Sequence, residues 1–114
     1  MSTDERFDTH EAASRIAQAV RDCALVVGLH PGDRDRTRTD HADRPPVIGV
    51  RVDPPAPGTT EADGDAVRVV VGVVGFYPTR VEDLAREVRR AVTALHPRSE
   101  ITVCVEDVVP ARPS

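Results

Sequence analysis

The chain of 114 residues is long enough for one domain with a modest core and too short for two. Its 19 acids outnumber 15 bases, giving a formal charge of −4, and this balance argues against nucleic acid as the main ligand because phosphate recognition rests on clustered positive charge. Every base is arginine, so Schiff-base chemistry and a phosphate-loop lysine are excluded.

Residues 1–8 read as a disordered polar lead without the apolar segment of a signal peptide. Thr9 is the expected N-cap of a first helix, in which Ile16, Val20 and Cys23 or Ala24 recur at helical spacing and four alanines favour close packing. Gly28 is its expected terminator, which places the end near Val27. The charged stretch 32–46 has no apolar period and reads as a solvated loop. Residues 47–53 alternate as a strand with Ile48, Val50 and Val52 on one face, and the Pro/Gly/acid stretch 54–66 reads as a linker.

A valine-rich strand follows over 67–75, with Val67, Val69, Val71 and Val73 facing the core and Arg68, Val70, Gly72 and Val74 facing away. Phe76 and Tyr77 are expected to lid the end of that core, and Pro78 to fix the turn. Thr79 and Glu82 have the spacing of a capping box for a helix over 80–95, whose apolar stripe is Val81, Leu84, Ala85, Val88, Val92 and Leu95. Residues 101–107 form a last strand with Ile101, Val103 and Val105 inward and Thr102, Cys104 and Glu106 outward; residues 110–114 are a tail. The order helix, strand, strand, helix, strand describes a single α+β domain over 9–109. It is a two-layer sandwich in which a three-stranded sheet carries two helices on one face.

Catalytic chemistry finds little support. Cys23 and Cys104 belong to no metal-binding spacing, and the serines lack a nucleophile-elbow context. Glu106 and Asp107 are adjacent on a strand, so their side chains diverge instead of converging on a substrate. His10 and His41 fall in polar segments, while His30 and His96 each precede a proline with no third metal ligand evident. The glycines of GVVG, residues 72–75, fit neither phosphate-binding pattern, and Gly72 instead marks a bulge or a close backbone approach. No catalytic residue, cofactor or metal is therefore expected. The apolar runs are also too short for a membrane helix of about 20 residues, which leads us to expect a soluble cytoplasmic protein. The open sheet face remains as a candidate interaction surface: Val70, Val74 and Cys104 edged by Arg51, Arg68, Thr102 and Glu106.

The segment VRVVVGVVGFYPTRVEDLAREVRRAVTALHPRSEITVCVEDVV, residues 67–109, resembles the core of the alkaline shock (Asp/Gls) family of bacterial envelope stress response proteins. The shared pattern is a valine-rich strand ending near Tyr77, a helix of the form V-x-x-L-A-x-x-V-R-x-x-V over 81–92, and a closing strand over 103–108. Upstream, IAQAV, VVGLH and GVRVD also match; Pro78 stands where the family usually has glycine. The resemblance implies a non-catalytic cytoplasmic protein that self-associates and is recruited to the membrane by a small membrane-anchored partner, without inserting itself. A ferredoxin-like regulatory domain that senses a small molecule is a second reading of the same element order.

Overall fold

The computed structural model describes residues 8–53 and 67–110. The expected linker over 54–66, the lead before Asp8 and the tail beyond Pro110 lie outside the described residues. The fold is α+β, with two helices and a mixed sheet in the order α1 (Thr9–Arg21), β1 (Val26–Leu29), β2 (Arg38–Thr39), β3 (Val47–Ile48), β4 (Val50–Asp53), β5 (Arg68–Tyr77), α2 (Val81–Leu95) and β6 (Glu100–Pro110).

α1 starts one residue earlier in its capping than the sequence suggests. Asp8, not Thr9, is the N-cap, and its carboxylate accepts the Glu11 amide at 2.9 Å. The helix stops at Arg21, well short of Val27. Cys23 N–H donates to the Val20 carbonyl and Val26 N–H to the Cys23 carbonyl, which turns the chain into β1. The run Val26–Val27 thus belongs to a strand, where β-branched side chains lose less rotamer freedom than in a helix and gain cross-strand contacts.

The principal sheet has four strands, not three. β6 runs parallel to β5 along its whole length, from Arg68↔Glu100 to Tyr77↔Pro110, and so occupies one edge of β5. β1 and β4 must share the other edge in series, both antiparallel: Leu29 pairs with Val73 and Val50 with Val71. Gly72 marks the seam. Its amide donates to the Gly49 carbonyl at 2.9 Å, while its carbonyl accepts the His30 amide at 2.8 Å. The two bonds that one paired residue would make are divided between His30 and Gly49, and residues 31–48 leave the sheet between them.

This seam explains two glycines. A Cβ on Gly72 would collide with the His30 carbonyl oxygen, the close backbone approach expected there. Gly49 has φ +89°, and a Cβ on it would lie 2.5 Å from Leu29 Cβ.

The excursion itself is not the featureless loop expected over 32–46. β2 and β3 pair antiparallel, and Thr37 and Thr39 are buried. The Thr39 hydroxyl donates to the Val50 carbonyl at 2.8 Å and accepts the Val52 amide at 3.2 Å. It thereby closes the outer edge of β4 with a side chain, as edge strands require.

The core is one cluster. Ala13, Ile16, Ala17 and Val20 of α1 and Leu84, Val88 and Val92 of α2 meet Val50, Val52, Val69, Val71 and Val73 of the sheet. The alternation read for β5 holds: Val67, Val69, Val71 and Val73 are at most 1% exposed. Ile101, Val103 and Val105 of β6 pack against this cluster but stay half-buried, since β6 is the sheet margin.

Two expectations at the β5–α2 corner fail. Tyr77 is 67% exposed and lids nothing, while Phe76 is half-buried. The capping box does not form: Arg80 is the N-cap of α2 and its side chain makes no capping bond. Thr79 lies one residue too early and instead donates its amide to the Phe76 carbonyl at 2.8 Å, closing a turn around the cis Tyr77–Pro78 peptide. Glu82 and Asp83 still favour the positive end of the helix. The stripe is buried at Leu84, Val88 and Val92 and open at its two ends, Val81 and Leu95.

Candidate interaction surface

Every second residue of β5 points away from the core: Arg68, Val70, Gly72, Val74 and Phe76. The register sets their neighbours. Asp53, Arg68 and Glu100 form one row across β4, β5 and β6, and Arg51, Val70 and Thr102 form the next. Arg68 donates to Glu100 at 3.0 Å and Arg51 to Asp53 at 3.1 Å, so half-buried Val70 sits among exposed ion pairs. Further along, Gly72 pairs with Cys104, Val74 with Asp107 and Phe76 with Val109. Cys104, Val74, Phe76 and Val109 are all half-buried.

The seven residues singled out in the sequence thus lie on three neighbouring strands, but they do not make an unbroken stripe. Between Val70 and Val74 the His30 carbonyl occupies the space over Gly72. Glu106 falls at the β6 bulge, where the register slips between Val73 and Val74, and its side chain lies beside Gly32 and Gly72. The excursion therefore divides the face. One part holds Arg51, Arg68, Val70 and Thr102; the other holds Val74 with Phe76 and Val109, neither of which the sequence reading placed on this face. For Phe76 the signal was the alternation of β5 carried two residues further.

Compared with protein-family models, with curated proteins and with solved structures, the chain gives no match.

A second concentration of polar side chains lies where α1 meets the excursion. His10 is buried, contrary to its expected place in an exposed polar segment, and its Nε2 lies 2.9 Å from the Pro45 carbonyl. Arg44 approaches His10 Nδ1 at 3.4 Å, and the His41 ring meets the His10 ring edge-on at 5.2 Å. Asp8 lies 3.8 Å from Arg44; its carboxyl is held below the usual carboxylate range first by the Glu11 amide and then by Arg44 and His41. The signal for His10 was present: His10, Ala13, Ala17 and Val20 continue the buried stripe of α1 backwards. An open groove of about 360 Å³ runs beside it, lined by His10, Ser14, Ala17, Arg21, Pro45 and Pro46 among others.

The remaining candidates are dispersed. His30 sits at the seam and its Nδ1 accepts the Gly32 amide, whereas His96 is the C-cap of α2. Cys23 lies beyond the end of α1, half-buried beside the core, and burial, followed by Glu87 and Asp22, pushes its thiol pKa up. Among the described residues no cluster of three or more His, Cys, Asp or Glu could hold a metal ion, and no helix is long and apolar enough to cross a membrane.

Proposed function

We propose that this chain is a non-catalytic interaction module: a self-associating scaffold of the envelope-stress type, recruited by a small membrane-anchored partner. The observation that carries this reading is the row Arg51–Val70–Thr102, in which a half-buried valine lies between polar side chains on the sheet face opposite the core. An apolar centre with a charged rim suits docking of another protein surface, because the centre gains from losing water while the rim fixes orientation. The resemblance to the alkaline shock family supplies the class of partner and the setting, inside the cell at the membrane. The chain would act by holding partners together, with no chemical step of its own.

Light scattering across a concentration series tests this. The wild-type chain is expected to assemble as its concentration rises, and Val70→Glu is expected to remain monomeric with an unchanged circular dichroism spectrum. Equal assembly of both proteins would remove the Arg51–Val70–Thr102 face from consideration. Recovery of a small membrane protein from detergent-solubilised membranes, lost with Val70→Glu, would then extend the reading to the anchored partner.

A further inference from the structure

Two margins of the principal sheet are finished differently. On β4 the Thr39 hydroxyl bonds both the Val50 carbonyl and the Val52 amide, so that edge is closed. β6 pairs with β5 alone among the described residues. The Glu100 amide donates to the Val67 carbonyl at 2.9 Å, which directs the backbone of Glu100, Thr102 and Cys104 towards β5. Ile101, Val103 and Val105 alternate with them and so aim their N–H and C=O groups outwards. The usual guards of an edge strand are missing from Glu100–Val105: it has no lysine, arginine or proline, and the bulge comes only after Val105. α2 is seated on β5, where Leu84 faces Gly75, and the core-side chains Ile101, Val103 and Val105 stay half-buried.

We propose that the outer edge of β6 pairs antiparallel with β6 of a second copy of this chain, about a two-fold axis at Thr102, so that two sheets join into one. The inference rests on the self-association proposed above and names where it occurs. Symmetry and side-chain alternation restrict the register. Core-side residues must meet core-side residues, since a slip of one residue turns every side chain to the other face, and the axis therefore passes through a residue. An axis at Val103 would set Glu100 against Glu106 of the second copy at both ends, and like charges directly opposite destabilise a pair. An axis at Cys104 would run the pairing into the bulge and set Ile101 against Asp107. At Thr102, Ile101 meets Val103, the two threonines meet each other, and Glu106 comes towards Arg98 in the turn before the second β6. This register is complementary to itself in both polarity and charge. It also carries the row Arg51–Val70–Thr102 through the axis into Thr102, Val70 and Arg51 of the second copy. Two small faces thus become one of twice the length, and Val70→Glu would place a carboxylate on either side of the threonine pair.

Two variants of the full chain test the pairing. Val103→Pro removes one outward N–H and leaves the Val70 face untouched; proline is tolerated on the free side of an edge strand, so the circular dichroism spectrum should not change. Sedimentation across a concentration series is expected to show dimers forming in the wild type and monomers throughout in Val103→Pro. Thr102→Cys gives a readout that does not depend on weakening the contact. Across the axis the two residues form a non-hydrogen-bonded pair with Cα atoms about 4.5 Å apart, within the reach of a disulfide. Mild oxidation with oxidised glutathione is expected to give a covalent dimer whose peptide map joins position 102 of one chain to position 102 of the other. Assembly of Val103→Pro equal to that of the wild type would overturn the edge pairing and leave the Val70 face standing. An oxidised Thr102→Cys protein that stays monomeric, or is joined at any other position, would overturn it as well. A wild type that is monomeric at every concentration would remove both readings.

Discussion

β5 and the excursion 31–48 meet at Gly72 through the excursion's flanking residues, His30 and Gly49, yet different forces hold them. In β5 the side chains facing the helices are valines of at most 1% exposure, and their neighbours in the core are aliphatic. In the excursion the anchoring groups are polar: Thr39 on the edge of β4, His10 on Pro45, and Arg38 between Asp35 and Asp40, which keep its guanidinium charged. Apolar burial is proportional to area and indifferent to direction, so it tolerates small shifts. Hydrogen bonds at buried atoms are directional, and losing one partner leaves the other without water. The contrast teaches that the sheet and the excursion should fail separately, the first by cavity formation and the second by loss of single polar atoms.

The largest effect should come from the apolar side. Leu84 is 2% exposed and approaches Gly75, where a Cβ would lie 2.5 Å from Leu84 Cδ2. Leu84→Ala removes buried methyl groups and leaves a void that β5 and α2 cannot close without breaking their pairing and packing. The expected cost is about 2–5 kcal/mol, read as a lower denaturation midpoint with an unchanged slope. Exchange protection should drop throughout the sheet. A loss below about 1 kcal/mol would mean that α2 is not seated on β5 as described, since a surface substitution has that size.

Thr39→Val should do less and do it locally. The shape is nearly conserved, but the Val50 carbonyl and the Val52 amide lose their shared partner at the margin of β4. About 1–3 kcal/mol is expected for the unsatisfied pair. Protection should fall at Val52 and in the β2–β3 ribbon while Val71 keeps its value. If Val71 loses as much as it does in Leu84→Ala, the two regions form one cooperative unit and the comparison fails.

The same contrast sets what could be read from sequence. Apolar period is a direct imprint of burial, so β5, α2 and β6 and most of their core residues follow from Val67, Val69, Val71, Val73, Leu84, Val88 and Val92. The short run at Val26–Leu29 was ambiguous because a helix tail and a buried strand share its pattern; only pairing with Val73–Gly75 decides it. Nothing in GDRDRTRTDHADRPP carries a period, since Thr39 and Pro45 are held by individual hydrogen bonds to Val50, Val52 and His10 elsewhere in the chain. The division of the outer face at Gly72 was equally hidden. It depends on His30 and Gly49 sharing one partner, a tertiary fact to which the glycine alone could only point.

The smallest effect probes the boundary between the regions. Asp8 caps α1 through the Glu11 amide and also lies 3.8 Å from Arg44 of the excursion. Its carboxyl is held below the ordinary aspartate value, the Glu11 bond being the foremost cause. A carboxyl with a depressed folded pKa contributes stability that is complete above its unfolded value and is lost as pH falls through the folded one. First-turn protection in α1 should therefore stay level from pH 7 to about 4 and decline only below that. Asparagine retains an oxygen that accepts the Glu11 amide but cannot be protonated in this range, so Asp8→Asn should keep the helix start and lose the acid decline. The exposed contact to Arg44 would vanish with little consequence, as such pairs are screened by solvent.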